Sequence, residues 1–226
     1  MAENRVPGPI FITGGTGYMG RRLILDLLRR GHLVRTLTRP GSERNLPPGC
    51  SVIFGSALDE KSYAREISPA RTFVHLVGVP HPSPAKSAEF RRIDLVSAQA
   101  AVAAAVAAGI RHFVYVSVAQ PAPVMKSYIE VRKEVESTIA RSGLNATILC
   151  PWYVLGPGHR WPIFLQPIYW LLERLPATRE SACRLGLVTI DQMIGALVAA
   201  VEQPAEGIRR IEVQEIRRAG KCLHQQ

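Results

Sequence analysis

The sequence predicts an α/β fold, in which one doubly wound parallel sheet carries a small C-terminal region. Short runs of β-branched and aromatic residues alternate with longer segments of helical periodicity, which is the pattern of a parallel sheet covered on both faces. The length of 226 residues suits one well-packed domain of this class and is short for two. We therefore expect a single α/β unit.

The first strand, turn and helix lie within residues 9–30. An apolar run enters a turn that has glycines at positions 14, 17 and 20, and an amphipathic segment leaves it. Gly31 is expected to end the helix, and a second strand follows at 33–37. A strand, a helix and a strand of this combined length form a βαβ unit, whose parallel strands imply a right-handed crossover.

The alternation of strands and helices continues beyond this unit. Further strands are predicted at 52–54, 72–77, 111–117, 146–149 and 210–213, and helices at 60–67, 88–108, 126–142 and 190–202. The strand at 111–117 is apolar almost throughout, which is typical of a central strand. Residues 1–150 are expected to form the sheet core, and residues 151–226 to complete the same domain with a lid segment at about 158–185.

The chain is basic, with a formal net charge of +10, which favours phosphate-bearing partners. Its 28 Lys and Arg residues are spread along the whole length, and no zinc-finger or helix-turn-helix signature is present, so we expect no nucleic-acid partner. The four cysteines form no C-x-x-C pair and the six histidines have no metal-ligand spacing. We therefore expect no metal site and no disulfide framework.

The start of the sequence and its hydropathy bear on location. No charged-then-apolar signal peptide precedes the first strand, and no stretch reaches the ~18–20 uninterrupted apolar residues that span a bilayer. These observations predict a cytoplasmic protein. Its oligomeric state is left open between a monomer and a homodimer.

The glycine turn predicts a dinucleotide site. In such a turn the first glycine permits the bend, the second lets the backbone approach a diphosphate, and the third lets the helix pack on the strand. Free N–H groups and the positive end of the helix dipole then face the phosphates. The alternative is an ordinary glycine turn without a ligand. The expected contacts are Gly14, Thr16, Gly17, Tyr18, Met19 and Gly20.

The end of the second strand distinguishes the two nicotinamide dinucleotides. An acidic side chain there binds the ribose 2′-hydroxyl of NAD, whereas an arginine accommodates the 2′-phosphate of NADP. Here Arg39 follows the strand, Arg44 lies near by, and no Asp or Glu occurs between Asp26 and Glu43. We expect NADP(H), with NADPH preferred over NADH; the alternative is that Arg39 is a solvated loop residue.

Four further segments, together with the glycine turn, resemble the short-chain dehydrogenase/reductases, a Rossmann-type family. They match its atypical and extended branch, which carries T-G-x-x-G-x-x-G. Residues 54–59 resemble the segment near the adenine and residues 75–78 the strand end under the cofactor. Residues 107–117 resemble the A-A-x-x-A-G-V-x-x-F-V-Y-V-S segment, and residues 150–158 the R-P-x-x-x-x-G-P-G run beside the nicotinamide. The resemblance covers about residues 8–216.

Within this branch the chain looks most like NmrA-type regulators and the NADPH-holding accessory subunit of respiratory complex I. The resemblance implies cofactor contacts at the ends of successive strands and on the helix at 126–142. These contacts are Ser56, Ala57, Leu76, Val77, Gly78, Val116, Ser117, Tyr128, Arg132, Pro151, Trp152, Tyr153 and Val154.

The family's enzymes use a Ser, a Tyr and a Lys that follows the Tyr by four residues. Tyr128 matches the tyrosine, Arg132 stands at the lysine position, and Ser117 remains from the usual serine pair, whose second member is Val118. Residues four apart share a helix face, whereas Lys133 is rotated away from Tyr128. Arg132 can therefore hold ribose hydroxyls, but a guanidinium cannot release a proton as lysine can.

Two functions follow from this substitution pattern. The first is an oxidoreductase on an unidentified apolar carbonyl or quinone-like substrate, with Tyr128 as proton donor and Arg132 as ribose anchor. The second is a non-catalytic NADP(H)-binding redox sensor or assembly protein, in which Tyr128 is only an amphipathic helix residue. Arg132 and Val118 favour the second function, and the retained Tyr128 favours the first.

An aromatic segment at 161–172 is flanked by arginines and too short to span a membrane. It is interpreted either as a lid over the nicotinamide pocket or as an interfacial patch that contacts a membrane or a membrane-protein partner. His75 and His112 are expected to be core or strand-edge residues. By resemblance to the family Asp191 is a helix cap or a substrate-domain contact, and we expect it to be a cap.

Overall fold

A computed structural model of the chain describes residues 8–122, 124–157 and 185–222. Seven parallel strands form one sheet in the order β3-β2-β1-β4-β5-β6-β9, which confirms the predicted doubly wound topology. The seven strands are β1 (Ile10–Thr13), β2 (Val34–Thr38), β3 (Ser51–Phe54), β4 (Thr72–His75), β5 (His112–Val116), β6 (Ala146–Cys150) and β9 (Ile208–Glu212). A second, two-stranded parallel sheet pairs β7 (Tyr153–Leu155) with β8 (Leu187–Thr189).

Helices cover both faces of the large sheet. They are α1 (Tyr18–Arg29), α2 (Ser87–Glu89), α3 (Val96–Ala107), α4 (Lys126–Arg141), α5 (Ile190–Glu202) and α6 (Val213–Cys222). A π-helical segment (Phe90–Leu95) joins α2 to α3, so the predicted helix at 88–108 contains a change in winding. Neither α6 nor the small sheet was predicted from the sequence.

The helix predicted at 60–67 is wrong. The structure has two short 3₁₀ turns there, Glu60–Ser62 and Ala64–Glu66. Tyr63 separates them with φ −144°, and its buried ring stacks on Phe11 with ring centroids 5.9 Å apart. Burial of this aromatic ring in the core therefore outweighs the local helical periodicity.

Each face of the sheet has its own apolar core. Phe11 packs in the cluster under α3 and α4, whereas its strand neighbours Ile10 and Ile12 pack in the cluster under α1, α5 and α6. Strands covered on both faces have no polar side, which explains their near-continuous apolar sequence. No helix in the described part of the chain is long and apolar enough to cross a membrane.

The strand order reverses between β1 and β4. The chain builds outward from β1 through β2 to β3, then returns to place β4 on the other side of β1. Ligands of doubly wound sheets bind in the crevice beyond the carboxyl ends of the strands at such a point. The glycine turn after β1 lies at this crevice.

Candidate functional site

The turn after β1 is tightly packed, and two of its glycines, Gly14 and Gly20, lie so close to backbone atoms that a side chain would not fit. Gly14 has φ +80°, and a Cβ atom there would lie 2.6 Å from the carbonyl carbon of Leu76. A Cβ at Gly20 would lie 2.2 Å from the carbonyl oxygen of Gly14, so the first turn of α1 rests directly on the glycine turn. The Gly17 N–H donates to the same oxygen at 3.0 Å.

The N-terminus of α1 has the features of an anion site. Gly17 is its N-cap and provides no side-chain capping bond, and the first turn carries no acidic residue. The N–H groups of this turn and the positive end of the helix dipole are thus available to a phosphate. Arg22 adds positive charge, with its guanidinium carbon 4.2 Å from the centre of the Tyr18 ring. A dinucleotide diphosphate fits this cradle, which larger residues in place of the glycines would fill.

Two exposed arginines follow β2 at the predicted adenosine end. Thr38 is in register with Phe54 of β3, and the Gly55 N–H donates to the Thr38 carbonyl at 3.1 Å, so Arg39 begins beside the loop that contains Ser56. Within the described ranges, neither the Arg39 nor the Arg44 guanidinium has a hydrogen-bond or ion-pair partner. The two cations are therefore free to meet an anionic group of a ligand.

The loop after β4 forms the opposite wall of the crevice. The Leu76 N–H donates to the Thr13 carbonyl at 2.9 Å, which ties the end of β4 to the glycine turn. Leu76 and Val77 are half-buried and Gly78 is exposed. A Cβ at Gly78 would lie 3.1 Å from Nη2 of Arg132, so this loop rests on the side chain that replaces the family's lysine.

Tyr128 and Arg132 share one face of α4, as their spacing predicts. The Arg132 guanidinium carbon lies 4.7 Å from the centre of the Tyr128 ring and 5.5 Å from that of Tyr115. Lys133 is exposed, in agreement with its predicted rotation away from this face. Tyr128 is half-buried and its ring meets the buried Phe90 edge-to-face, with centroids 5.0 Å apart.

Arg132 is more constrained than a simple ribose anchor would be. Its Nη1 donates to the Tyr115 hydroxyl at 2.8 Å and to the Val116 carbonyl at 3.1 Å, and its Nη2 donates to Asp94 Oδ1 at 2.6 Å. Its Nε is buried and has no partner among the described residues. A hydroxyl of a bound ribose would satisfy this nitrogen, so the residue still fits a dinucleotide.

The Asp94–Arg132 pair is almost completely buried. Burial raises the pKa of the Asp94 carboxyl, while the Arg132 charge and the Val79 N–H oppose that shift. Burial alone would lower the pKa of Arg132, but the neighbouring Tyr115, Tyr128 and Asp94 reverse the direction and raise it. Arg132 is therefore a permanent cation beside Tyr128.

The structure does not bring the Ser117 hydroxyl to Tyr128, as a catalytic role would require. This hydroxyl is buried and donates to Oε1 of Glu136, which also accepts a bond from the Gln120 amide. The other carboxylate oxygen, Oε2, pairs with Arg210 at 2.5 Å. Glu136 lies two helical turns, about 12 Å along the axis of α4, beyond Tyr128. The hydroxyl is thus engaged in fastening α4 to the end of β5.

Residues 151–157 approach the glycine turn from the side of β6. A Cβ at Gly156 would lie 1.8 Å from the Tyr18 hydroxyl oxygen, so this segment rests on the first residue of α1. Burial raises the pKa of Tyr18. The Pro151 carbonyl accepts a bond from the Ala119 N–H at 2.9 Å. The expected contacts that follow it, Trp152, Tyr153 and Val154, are half-buried here.

Several residues of this region were not predicted from the sequence. Asp94 is 38 positions from its partner Arg132, so no local pattern relates them. Gly15 is pressed against Thr36, whose Oγ1 would lie 2.2 Å from a Cβ at that position. The repeated glycine at 14 and 15 is a signal that could have indicated this contact.

The two strand histidines are buried, as expected. His75 contacts the Thr13 hydroxyl through Nδ1 at 2.8 Å, and burial lowers its pKa to about 3. His112 contacts the Thr147 hydroxyl through Nε2 at 2.9 Å, and burial lowers its pKa to about 4. Within the described ranges, no group of three or more His, Cys, Asp or Glu residues is arranged to hold a metal ion.

The expectation that Asp191 caps a helix is wrong. Thr189 is the N-cap of α5, because its hydroxyl accepts a bond from the Gln192 N–H and the Gln192 side chain accepts one from the Thr189 N–H. Asp191 lies in the first turn, where its negative charge interacts favourably with the positive end of the helix dipole. The aromatic segment at 161–172 and most of the predicted lid at 158–185 lie outside the described residues.

Comparison of the sequence with known proteins agrees with this geometry. Residues 14–159 match a family described as NAD(P)H-binding. A ceramide reductase of Caulobacter vibrioides is 28% identical over 218 residues, which cover 94% of this chain and 66% of that protein. A 3-diazoavenalumate denitrifying reductase of a Streptomyces species is 27% identical over 95% of this chain and 79% of its own length.

Solved structures share the fold. The enzyme WbmH of Bordetella bronchiseptica, solved in complex with NAD+, has a TM-score of 0.68 at 20% identity and covers 91% of this chain and 75% of its own. A UDP-glucose 4-epimerase of Thermotoga maritima has a TM-score of 0.65 at 18% identity, over 95% of this chain and 82% of its own. The family match spans more than half of the sequence and includes the glycine turn, Tyr128 and Arg132. The chain therefore belongs to the NAD(P)H-binding family, and its fold is of the Rossmann type.

Proposed function

We propose that this protein is an NADP(H)-dependent oxidoreductase that reduces a carbonyl or quinone-like group of an apolar substrate. The observation that carries the proposal is the position of Tyr128. It shares a helix face with a permanent cation, Arg132, whose other neighbours are the loop after β4 and the end of β5. In this proposal Tyr128 would be the proton donor, connected through Arg132 and the loop after β4 to the glycine turn.

The cofactor would lie across the carboxyl ends of the strands. Its diphosphate would lie on the N-terminus of α1, and Arg39 and Arg44 would contact the adenosine 2′-phosphate. The buried Nε of Arg132 would meet a hydroxyl of the nicotinamide ribose. The chemistry supplied by bound NADPH is transfer of a hydride to an electron-poor carbon.

Tyr128 would complete the reduction by giving its phenolic proton to the substrate oxygen. A carbonyl then becomes an alcohol, with one hydride added at carbon and one proton at oxygen. Arg132 would stabilise the phenolate that remains, because its guanidinium lies against the same ring. Since arginine cannot release a proton, Tyr128 would regain its own from water rather than through residue 132.

The relatives named above support a reductive activity. Two proteins that match nearly the whole chain are reductases by name, one of them acting on a ceramide, which is an apolar substrate. This chain spans 66% of the length of the ceramide reductase, so its own substrate is assigned only by class.

The test is Tyr128→Phe, assayed by NADPH absorbance against a panel of apolar aldehydes, ketones and quinones. Loss of general acid catalysis predicts a turnover about 10²–10⁴-fold below wild type with an NADPH dissociation constant within twofold. Lys133→Gln, on another face of α4, is the matched control and is expected to retain turnover. Tight NADPH binding without turnover by the wild type would overturn the proposal in favour of a cofactor-binding sensor or assembly protein.

A further inference from the structure

The π-helical segment and α4 meet through two pairs of side chains. Phe90 packs edge-to-face on Tyr128, and Asp94 forms an ion pair with Arg132. Phe90 and Asp94 are four residues apart, and so are Tyr128 and Arg132, so the two contacts lie side by side between the two helical elements. The Arg132 guanidinium also contacts Tyr128, because it lies 4.7 Å from the centre of that ring.

The carboxylate of Asp94 also holds the loop after β4. Its Oδ2 accepts a bond from the Val79 N–H at 2.9 Å while Oδ1 takes the Arg132 contact at 2.6 Å. A Cβ at the preceding residue, Gly78, would lie 3.2 Å from Oδ1, so the loop packs tightly against this pair. One buried carboxylate thus joins the loop that faces the glycine turn to the helix that carries Tyr128.

Burying the Asp94 carboxylate costs free energy, so its position calls for an explanation. A carboxylate whose side chain is 0% exposed requires both an opposite charge and hydrogen bonds, and it receives both here. The segment around it, Phe90–Leu95, is π-helical, and π-helical turns are rare in proteins and frequently occur at functional sites. The winding buries both Phe90 and Asp94 toward α4.

We propose that Asp94 is a positioning residue that sets the orientation of Arg132, and through it that of Tyr128 and the cofactor loop at 76–79. This inference rests on the proposed function for its effect on turnover, but its effect on cofactor binding does not. The forked guanidinium is essential to it, because only arginine can contact Asp94, Tyr115 and the Val116 carbonyl at once. The arginine at the lysine position and the aspartate are therefore a matched pair.

The test is Asp94→Asn, combined with Arg132→Lys in a double-mutant cycle. An asparagine has one acceptor oxygen for two donors, so either Val79 or Arg132 loses its partner. We expect NADPH affinity to fall about tenfold and turnover about 10–100-fold, while the protein stays folded. In the Arg132→Lys background, which already lacks the fork, the same change should cost less than threefold.

The matched control is Arg91→Gln. Arg91 pairs with Glu134 at 3.4 Å, which bridges the same two helical elements, but both side chains are exposed. This variant should keep wild-type binding and turnover. The inference is overturned if folded Asp94→Asn binds NADPH and turns over within twofold of wild type. It is also overturned if the fold-losses of Asp94→Asn and Arg132→Lys simply multiply in the double variant, because the two residues would then act independently. A wild type that binds NADPH without turnover would refute the oxidoreductase assignment alone, since the binding cycle would still decide the role of Asp94.

Discussion

Arg39 and Arg132 are the same type of residue in two different environments, one exposed and one buried. Arg39 is exposed and has no side-chain partner in the described part of the chain, so its charge is available to a ligand. Arg132 is 6% exposed and holds three protein acceptors, so its charge is part of the architecture. The first residue can select a cofactor, whereas the second can only present a fixed surface to one.

We expect Arg39→Ala to weaken NADPH binding about 10–50-fold, because one charge-assisted contact to the 2′-phosphate is lost. NADH, which has no 2′-phosphate, should bind within twofold of wild type. Fluorescence titration of both cofactors measures the two dissociation constants. Arg141→Ala, at the far end of α4, is the control, and an equal loss of affinity for both cofactors would contradict the 2′-phosphate role.

Among the elements, α4 and α5 are fixed to the sheet by different means. The N-cap of α4 is Met125, whose backbone is left-handed with φ 62° and whose side chain makes no capping bond. Tertiary contacts of Tyr128, Arg132 and Glu136 hold this helix. Helix α5 has a full capping box from Thr189 and Gln192. Local sequence stabilises α5, whereas side chains from other elements position α4.

Thr189→Ala should therefore lower the free energy of unfolding by about 1 kcal/mol, since the Gln192 N–H loses its acceptor. Urea unfolding followed by circular dichroism measures this loss. Thr138→Ala removes the same hydroxyl from the last turn of α4, where it donates to the Glu134 carbonyl, and is expected to cost less than about 0.5 kcal/mol. Equal losses in the two variants would show that capping does not stabilise α5.

Considered as a whole, the molecule buries neutral histidines within its sheet. His75 and His112 lie on neighbouring strands, and burial lowers the pKa of each, to about 3 and about 4. In the unfolded chain both would titrate near their ordinary value of about 6.5. The unfolded state therefore binds more protons than the folded state below that pH, and stability falls as the pH falls.

Between pH 7 and pH 5 the His112 contribution amounts to about 2 kcal/mol of lost stability, and it levels off near pH 4, where the folded residue also takes up a proton. We expect His112→Asn to remove this loss, so that its free energy of unfolding falls about 2 kcal/mol less than that of wild type over the same interval. Urea unfolding at several pH values measures both slopes. Parallel slopes for wild type and His112→Asn would contradict the prediction.

Features with a local spacing were predictable from the sequence. The glycines at 14, 17 and 20, the alternation of strands with helices, and the shared face of Tyr128 and Arg132 all follow from periodicities of a few residues. The structure agrees with each of them. These features establish the fold and the dinucleotide cradle because backbone geometry alone dictates them.

The partners of the site residues depend instead on contacts between distant parts of the chain. Local periodicity could not show that Ser117 turns to Glu136, that Tyr63 leaves a helical pattern for the core, or that Arg132 meets an aspartate 38 positions away. Each outcome depends on which side chains meet when the helices pack on the sheet. A buried charge or hydroxyl must have a partner there, because burying it unpaired costs free energy. The motif thus established that a dinucleotide site exists, while the packing of the π-helical segment against α4 determined which side chains surround Tyr128 and Arg132.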